Sequence, residues 1–274
     1  MSDDPRSLLL AARATDGGFG AQPGGPSEPE PTAMAAIALD DAAASEWLVR
    51  HQSPEGGWPM GGNNIANDAG LGFAALAAGP GPAREKALDH LLQIPGQALT
   101  STEEVPLDPT RRGWGWTPST AGWVDPTARA LLVLRLLRPS AVEAISDAIG
   151  FLADRACVGG GWNYGNRLVL GVELEPYAHP TAVALIALQG SSSTLVDDGL
   201  VRLRSLWLEE SGGLSLATAL AAFRLLSIDD ATQTEIRRRL AARVAATRLL
   251  GDTVALAWAH IATTDRVEVF RVKR

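Results

Sequence analysis

The sequence predicts an all-α chain folded as a single (α/α)6 toroid, a ring of inner helices enclosed by a ring of outer ones. Three observations predict it. A glycine-rich turn ending in an aromatic residue recurs, helix openings of the form X-Pro-Thr-Ala recur, and two chemically different kinds of helical segment alternate. Such self-similarity marks repeat architectures, in which each unit buries its apolar face against the next.

The turns are Gly17-Gly18-Phe19, Gly56-Gly57-Trp58, Gly113-Trp114-Gly115-Trp116 and Gly160-Gly161-Trp162, with Gly212-Gly213-Leu214 as a degenerate copy. Glycine permits the tight turn after an outer helix, and the aromatic ring is suited to plug the seam between neighbouring pairs. The openings are Glu30-Pro31-Thr32-Ala33, Asp125-Pro126-Thr127-Ala128 and His179-Pro180-Thr181-Ala182. Proline is tolerated at the first helical position, and the residue before it is then expected at the N-cap.

Residues 127–137 and 216–226 are apolar nearly all round, as buried helices are. Residues 231–247 instead place Ile236, Leu240 and Val244 on one stripe and arginines elsewhere, as an outer helix would. Extending these patterns gives inner helices near 31–40, 67–78, 126–138, 180–190, 215–226 and 252–262. Outer helices fall near 5–14, 42–51, 83–94, 140–156, 194–208 and 230–247. Six of each suits a closed ring, which avoids the polar end caps an open solenoid needs. The whole chain, 1–274, is therefore expected as one toroid with a long functional loop at 95–124 and a short basic C-terminal tail at 264–274.

Apolar residues make up 46% of the chain, enough for a substantial core, and the formal net charge is −7. That balance excludes a basic nucleic-acid-binding face; Arg237, Arg238, Arg239 and Arg243 read as the wet side of one helix. A lone cysteine, Cys157, excludes an internal disulfide and a thiolate metal site. The N-terminus lacks the basic and apolar regions of a signal peptide, and no stretch reaches roughly 18 uncharged apolar residues. A cytoplasmic protein is expected, with peripheral membrane contact compatible with a lipid-like substrate and no indication of oligomeric state.

Trp47-Leu48, then Gln52, then Gly56-Gly57-Trp58 resembles the repeat of squalene and oxidosqualene cyclases, within the superfamily that also holds protein prenyltransferases. Phe151-Leu152 with Gly160-Gly161-Trp162 is a second copy, and Leu9-Leu10 with Asp16-Gly17-Gly18-Phe19 a third. The resemblance implies a terpene cyclase-like toroid and proton-initiated, class II cyclisation of an isoprenoid in the central cavity. In such cyclases an Asp-x-Asp-Asp-Thr-Ala sequence opens an inner helix and its middle Asp is the acid. Glu28-Pro29-Glu30-Pro31-Thr32-Ala33 occupies that register, with Pro31 in place of the third acid. Glu30 is thus implied as proton donor with Glu28 beside it.

An alkene-protonating acid must be held neutral; burial and a neighbouring carboxylate favour that form, while a helix N-terminus favours the anion. Asp125 is a favoured capping type, whereas Glu30 and His179 are not. Equivalent helix starts in a toroid face one end of a common cavity, so Glu30, Asp125 and His179 are expected to share a rim; with Glu28, which the resemblance implies, they are the candidate catalytic residues. Carbocations need aromatic faces. Trp114, Trp116, Trp123, Tyr164 and Tyr177 lie in the loops feeding these starts and are the candidate substrate-binding residues. Protein prenyltransferases hold zinc with an Asp-x-Cys and a later His; Asp125 and His179 match two ligands, but Thr127 occupies the cysteine place, so neither metal nor cofactor is expected. His51, His90 and His260 stand isolated. The alternatives are a non-catalytic toroid binding an isoprenoid or a protein partner, a prenyltransferase-like enzyme, and a hydrolase with carboxylates at helix starts.

Overall fold

The computed structural model describes residues 4–59, 68–191, 193–228 and 230–273. Among these, the inner helices are α2 (Pro29–Leu39), α4 (Asp68–Ala77), α6 (Val124–Leu137), α8 (Ala178–Ala187), α10 (Gly213–Leu225) and α12 (Thr253–Thr263). The outer ones are α1 (Pro5–Ala12), α3 (Ala42–His51), α5 (Pro82–Gln93), α7 (Val142–Arg155), α9 (Thr194–Glu209) and α11 (Asp230–Thr247). Residue 67, expected to open the second inner helix, and residue 274 of the expected tail lie outside the described residues.

Each inner helix packs on the next, and α12 packs on α2, which closes the ring. Every inner helix carries one outer helix on its outside: α3 on α2, α5 on α4, α7 on α6, α9 on α8, α11 on α10, and α1 on α12. The first helix of the chain thus backs the last, and both ends of the chain contribute to one closing pair. The inner helices are buried on all sides, and alanines such as Ala33, Ala36, Ala182, Ala184, Ala219 and Ala222 let neighbouring backbones approach.

The repeated turn and the repeated helix opening prove to be two halves of one joint. Thr32, Thr127 and Thr181 are fully buried. Their hydroxyls accept from the backbone N–H of Phe19 (2.9 Å), Trp114 (2.8 Å) and Trp162 (2.9 Å). The same hydroxyls lie 3.1, 3.4 and 3.1 Å from the carbonyl oxygens of those three residues and donate back to them. The indole N–H groups of Trp58, Trp114 and Trp162 donate to Leu48 O, Leu91 O and Leu152 O on the preceding outer helix. The glycine requirement is steric. Gly56 (φ 106°) and Gly160 (φ 93°) leave a Cβ only 2.5 Å and 2.6 Å from the backbone oxygens of Lys86 and Asp198, on the next outer helix.

One expectation about the openings is corrected. Helices α2, α6 and α8 begin two residues earlier than expected, with Glu28, Trp123 and Tyr177 at the N-cap. Glu30, Asp125 and His179 are second residues of their helices, and the prolines are third. Proline is accepted there because the N–H groups of the whole first turn have no intrahelical partner.

The segment 264–273, expected as a basic tail, is packed against the body. A 3-10 helix, Asp265–Phe270, buries Val267 and Phe270 completely. Phe270 meets Phe73 of α4 (5.5 Å between ring centroids) and Trp258 of α12 (5.2 Å), and Phe73 meets Trp258 edge-on at 6.1 Å. Because α2 separates α4 from α12 around the ring, these aromatic rings meet inside the lumen.

Candidate functional site

The first turns of α2, α6, α8, α10 and α12 converge at one end of the ring. They surround a cavity of 440 Å³ lined by Glu28, Glu30, Asp125, His179, Trp116 and Tyr164, together with Arg129, Asp252, Leu214, Val254, Pro31, Ala21 and Gln22. Glu28, Glu30, Asp125 and His179 thus line one cavity, and Trp116 and Tyr164 line it with aromatic side chains.

Arg129, one turn beyond Asp125 on α6, is the residue that organises the rim. Its side chain is 6% exposed. Its Nε and Nη2 each donate to Asp125 at 2.8 Å, a side-on bidentate pair, while Nη1 donates to Glu30 of α2. Its guanidinium also lies 5.3 Å from the Phe73 ring centroid and 5.8 Å from that of Trp116. Arg129 thus stands over the aromatic cluster in the lumen and beneath the rim cavity.

Asp125 is not a helix cap; it is one half of a buried ion pair. Burial alone would push its carboxyl up, but the Arg129 charge, the His179 contact and the Arg129 hydrogen bonds outweigh it and hold the carboxyl well below the usual carboxylate range. His179 Nε2 lies 3.6 Å from Asp125 Oδ2, and its Nδ1 lies 3.2 Å from Thr218 Oγ1 on α10. Burial would weaken the Arg129 charge, but Asp125 and then Glu30 outweigh it and raise the guanidinium above its ordinary value. Burial, helped by the Asp125 charge, pushes the hydroxyl of Tyr164, which lines the cavity, up from its ordinary value. Asp252 caps α12 by accepting from Ala255 N at 2.9 Å.

The remaining candidates divide. Trp114 is a correction: it is 2% exposed, its indole N–H is bonded to Leu91 O, and it fills the seam rather than lining the cavity. Trp123 and Tyr177 line a neighbouring pocket of 330 Å³, which shares Tyr164 with the rim cavity. The 95–124 loop is folded back by Gly96 N to Gly113 O (2.6 Å) and Gln97 N to Thr120 O (2.9 Å), and it delivers Trp116 to the rim. Thr127, in the place of a zinc-binding cysteine, has its hydroxyl committed to Trp114. Among the described residues no three His, Cys, Asp or Glu side chains are grouped to hold a metal ion. Among them also, no helix is long and apolar enough to cross a membrane.

No protein-family model matches the chain, and no curated protein matches it in sequence. Solved structures do. A type II terpene cyclase from Scytonema superposes with a TM-score of 0.59 at 15% identity, covering 90% of this chain and 76% of that one. The chain has the terpene cyclase-like α/α toroid fold. An α-1,6-mannanase from Salegentibacter, solved with α-1,6-mannotriose, superposes equally well (TM-score 0.59, 11% identity, 94% and 97% coverage). A protein from Actinoplanes gives a TM-score of 0.55 at 17% identity over 89% of this chain and 78% of that one. At these identities the likeness is one of fold, and the fold hosts both cyclases and a glycanase.

Proposed function

We propose that this cyclase-like toroid is a binding protein for an uncharged, hydroxyl-bearing apolar molecule of the isoprenoid-alcohol class, held in the rim cavity without being converted. The carrying observation is Arg129. Proton-initiated cyclisation needs a neutral carboxylic acid facing a dry apolar chamber. In this chain the two central carboxylates are both bonded to one guanidinium, and Phe73, Trp258 and Phe270 meet in the lumen where a folded hydrocarbon would sit. The same guanidinium speaks against a glycosidase, whose paired carboxyl groups must flank a scissile bond, one of them neutral.

The ligand class follows from the charges. Glu28, Glu30, Asp125 and Asp252 line the cavity, and the N–H groups of Arg129 are already directed at Asp125 and Glu30. A diphosphate or carboxylate entering such a cleft meets like charge. A hydroxyl finds acceptors on the carboxylates, while Trp116, Leu214, Val254 and Pro31 offer apolar surface.

Titration with farnesol and with farnesyl diphosphate, followed by tryptophan fluorescence, tests this reading. Farnesol is expected to bind, the diphosphate to bind about a hundredfold more weakly, and Trp116→Ala to weaken farnesol binding. Preference for the diphosphate, or no binding of farnesol, would overturn it.

A further inference from the structure

The ring of inner helices is closed by α12 on α2 and needs no further element for closure. Segment 264–273 nevertheless crosses its far mouth, where the inner helices end. Arg266 Nε donates to Ile37 O of α2 at 2.9 Å, and Arg271 Nη1 donates to Leu225 O of α10 at 3.1 Å. Buried Gln189, just beyond the end of α8, donates to Phe270 O at 2.8 Å, and Arg224 of α10 donates to Thr264 O. These anchors reach around the mouth and fix the fully buried Phe270 ring in the lumen.

Phe270 is the base of a stack that ends at the rim. Its ring lies 5.5 Å from that of Phe73, and the Phe73 ring lies 5.3 Å from the Arg129 guanidinium. Trp258 braces the base, 5.2 Å from Phe270. Arg129 makes two kinds of bond. Those to Asp125 stay within α6, at the i, i+4 spacing that a helix supplies unaided. The bond to Glu30 instead runs from α6 to α2, past α4, which lies between them in the ring. Phe73 belongs to α4 and supports the guanidinium at that crossing. Gly72 keeps α4 close, since a Cβ there would lie 3.4 Å from Arg129 O. A guanidinium resting on an aromatic face keeps its plane, and its N–H groups keep their direction.

We infer that Phe270 is a positioning residue for the rim cavity: through Phe73 it keeps Arg129 reaching across the ring to Glu30. Without the Phe270 ring, Phe73 settles into the vacated space and the guanidinium loses its support. Nη1 then leaves Glu30 and is free to meet an anionic head group, while the pair with Asp125 stays. Segment 264–273 thus sets the head-group selectivity of the rim from the opposite end of the lumen. That consequence deepens the binding role proposed above and rests on it.

A double-mutant cycle on the full chain tests the positioning without any ligand. Glu30→Gln should lower the denaturant midpoint of the wild type, and by about half as much or less in Phe270→Ala, where the crossing bond is already loosened. Val267 is buried as fully in the same segment but belongs to no ring stack, so in Val267→Ala the effect of Glu30→Gln should be undiminished. Phe270→Leu keeps much of the volume without the ring and carries the same comparison if the alanine variant does not fold. Selectivity is read with farnesol and farnesyl diphosphate. The preference for the alcohol, about a hundredfold in the wild type, should fall about tenfold in the Phe270 variants and persist in Val267→Ala. Additive effects in the cycle, or equal non-additivity with Val267→Ala, would overturn the positioning role. An undiminished preference for the alcohol would overturn its effect on selectivity. Non-additivity specific to Phe270, in a protein whose wild type binds no farnesol, would retain the positioning role and remove the binding role.

Discussion

Arg129→Met is expected to destabilise the protein by about 3–5 kcal/mol, read as a fall in the denaturant midpoint at neutral pH. Methionine preserves much of the side-chain volume against Phe73 and Trp116 but removes the only charge bonded to both Asp125 and Glu30 among the described contacts. Asp125 is 1% exposed, so its carboxylate cannot turn to water for compensation. Desolvation that the guanidinium now offsets becomes uncompensated. Adding Asp125→Asn to Arg129→Met should recover part of the loss, because the pair is coupled and the single effects do not add. The effect has a pH signature. The folded carboxyl of Asp125 is depressed, so its contribution is fully present above the unfolded value of about 3.9 and is lost as pH falls from there towards the folded value. The gap between wild type and Arg129→Met should therefore narrow in acid.

Trp258→Ala is expected to cost a comparable amount, about 3–5 kcal/mol, for an unrelated reason. Trp258 is 1% exposed and meets both Phe73 and Phe270 in the lumen. The closed ring restricts how far its walls can collapse, so truncation leaves a void lined by aromatic faces. Such an apolar void stays dry and takes up small apolar molecules. Benzene should raise the melting temperature of Trp258→Ala and leave that of the wild type unchanged. Loss of stability without benzene rescue would mean that the lumen collapses or was never filled at this point.

The architecture was legible because burial leaves a chemical mark on helices. Helix α10, apolar all round, and helix α11, with Ile236, Leu240 and Val244 on one buried stripe, could be told apart by pattern alone. The joints were visible as recurring glycines, aromatics and threonines. What the threonines do was not visible, since a hydroxyl paired to an aromatic residue's backbone leaves no spacing rule shorter than the repeat itself.

Helix starts were misread by two residues because proline was assigned to the first helical position, its commonest place. The aromatic residues at the true caps carry no capping signal; they conflict with it, and that conflict marks the second pocket. Arg129 was missed because an arginine in an apolar segment, as Arg135 also is, reads as a side chain reaching out to solvent. The available signal was its spacing: it follows Asp125 by four residues on a helix already recognised as buried, so its charge needed a partner inside. The role of Phe270 was hidden for the opposite reason. Its surroundings, Asp265, Arg266, Glu268 and Arg271, have the composition of a solvated tail, while Val267 and Phe270 are fully buried and Val269 and Val272 pack partly against the core.

The most direct test of binding without conversion is incubation with squalene and farnesol in deuterated water, followed by mass spectrometry of the recovered molecules. With Asp125 and Glu30 both held by Arg129, the molecules should return unchanged and carry no carbon-bound deuterium. Recovery of a cyclised product bearing one deuterium, formed by the wild type and lost in Glu30→Gln, would contradict the account and make Glu30 a proton donor.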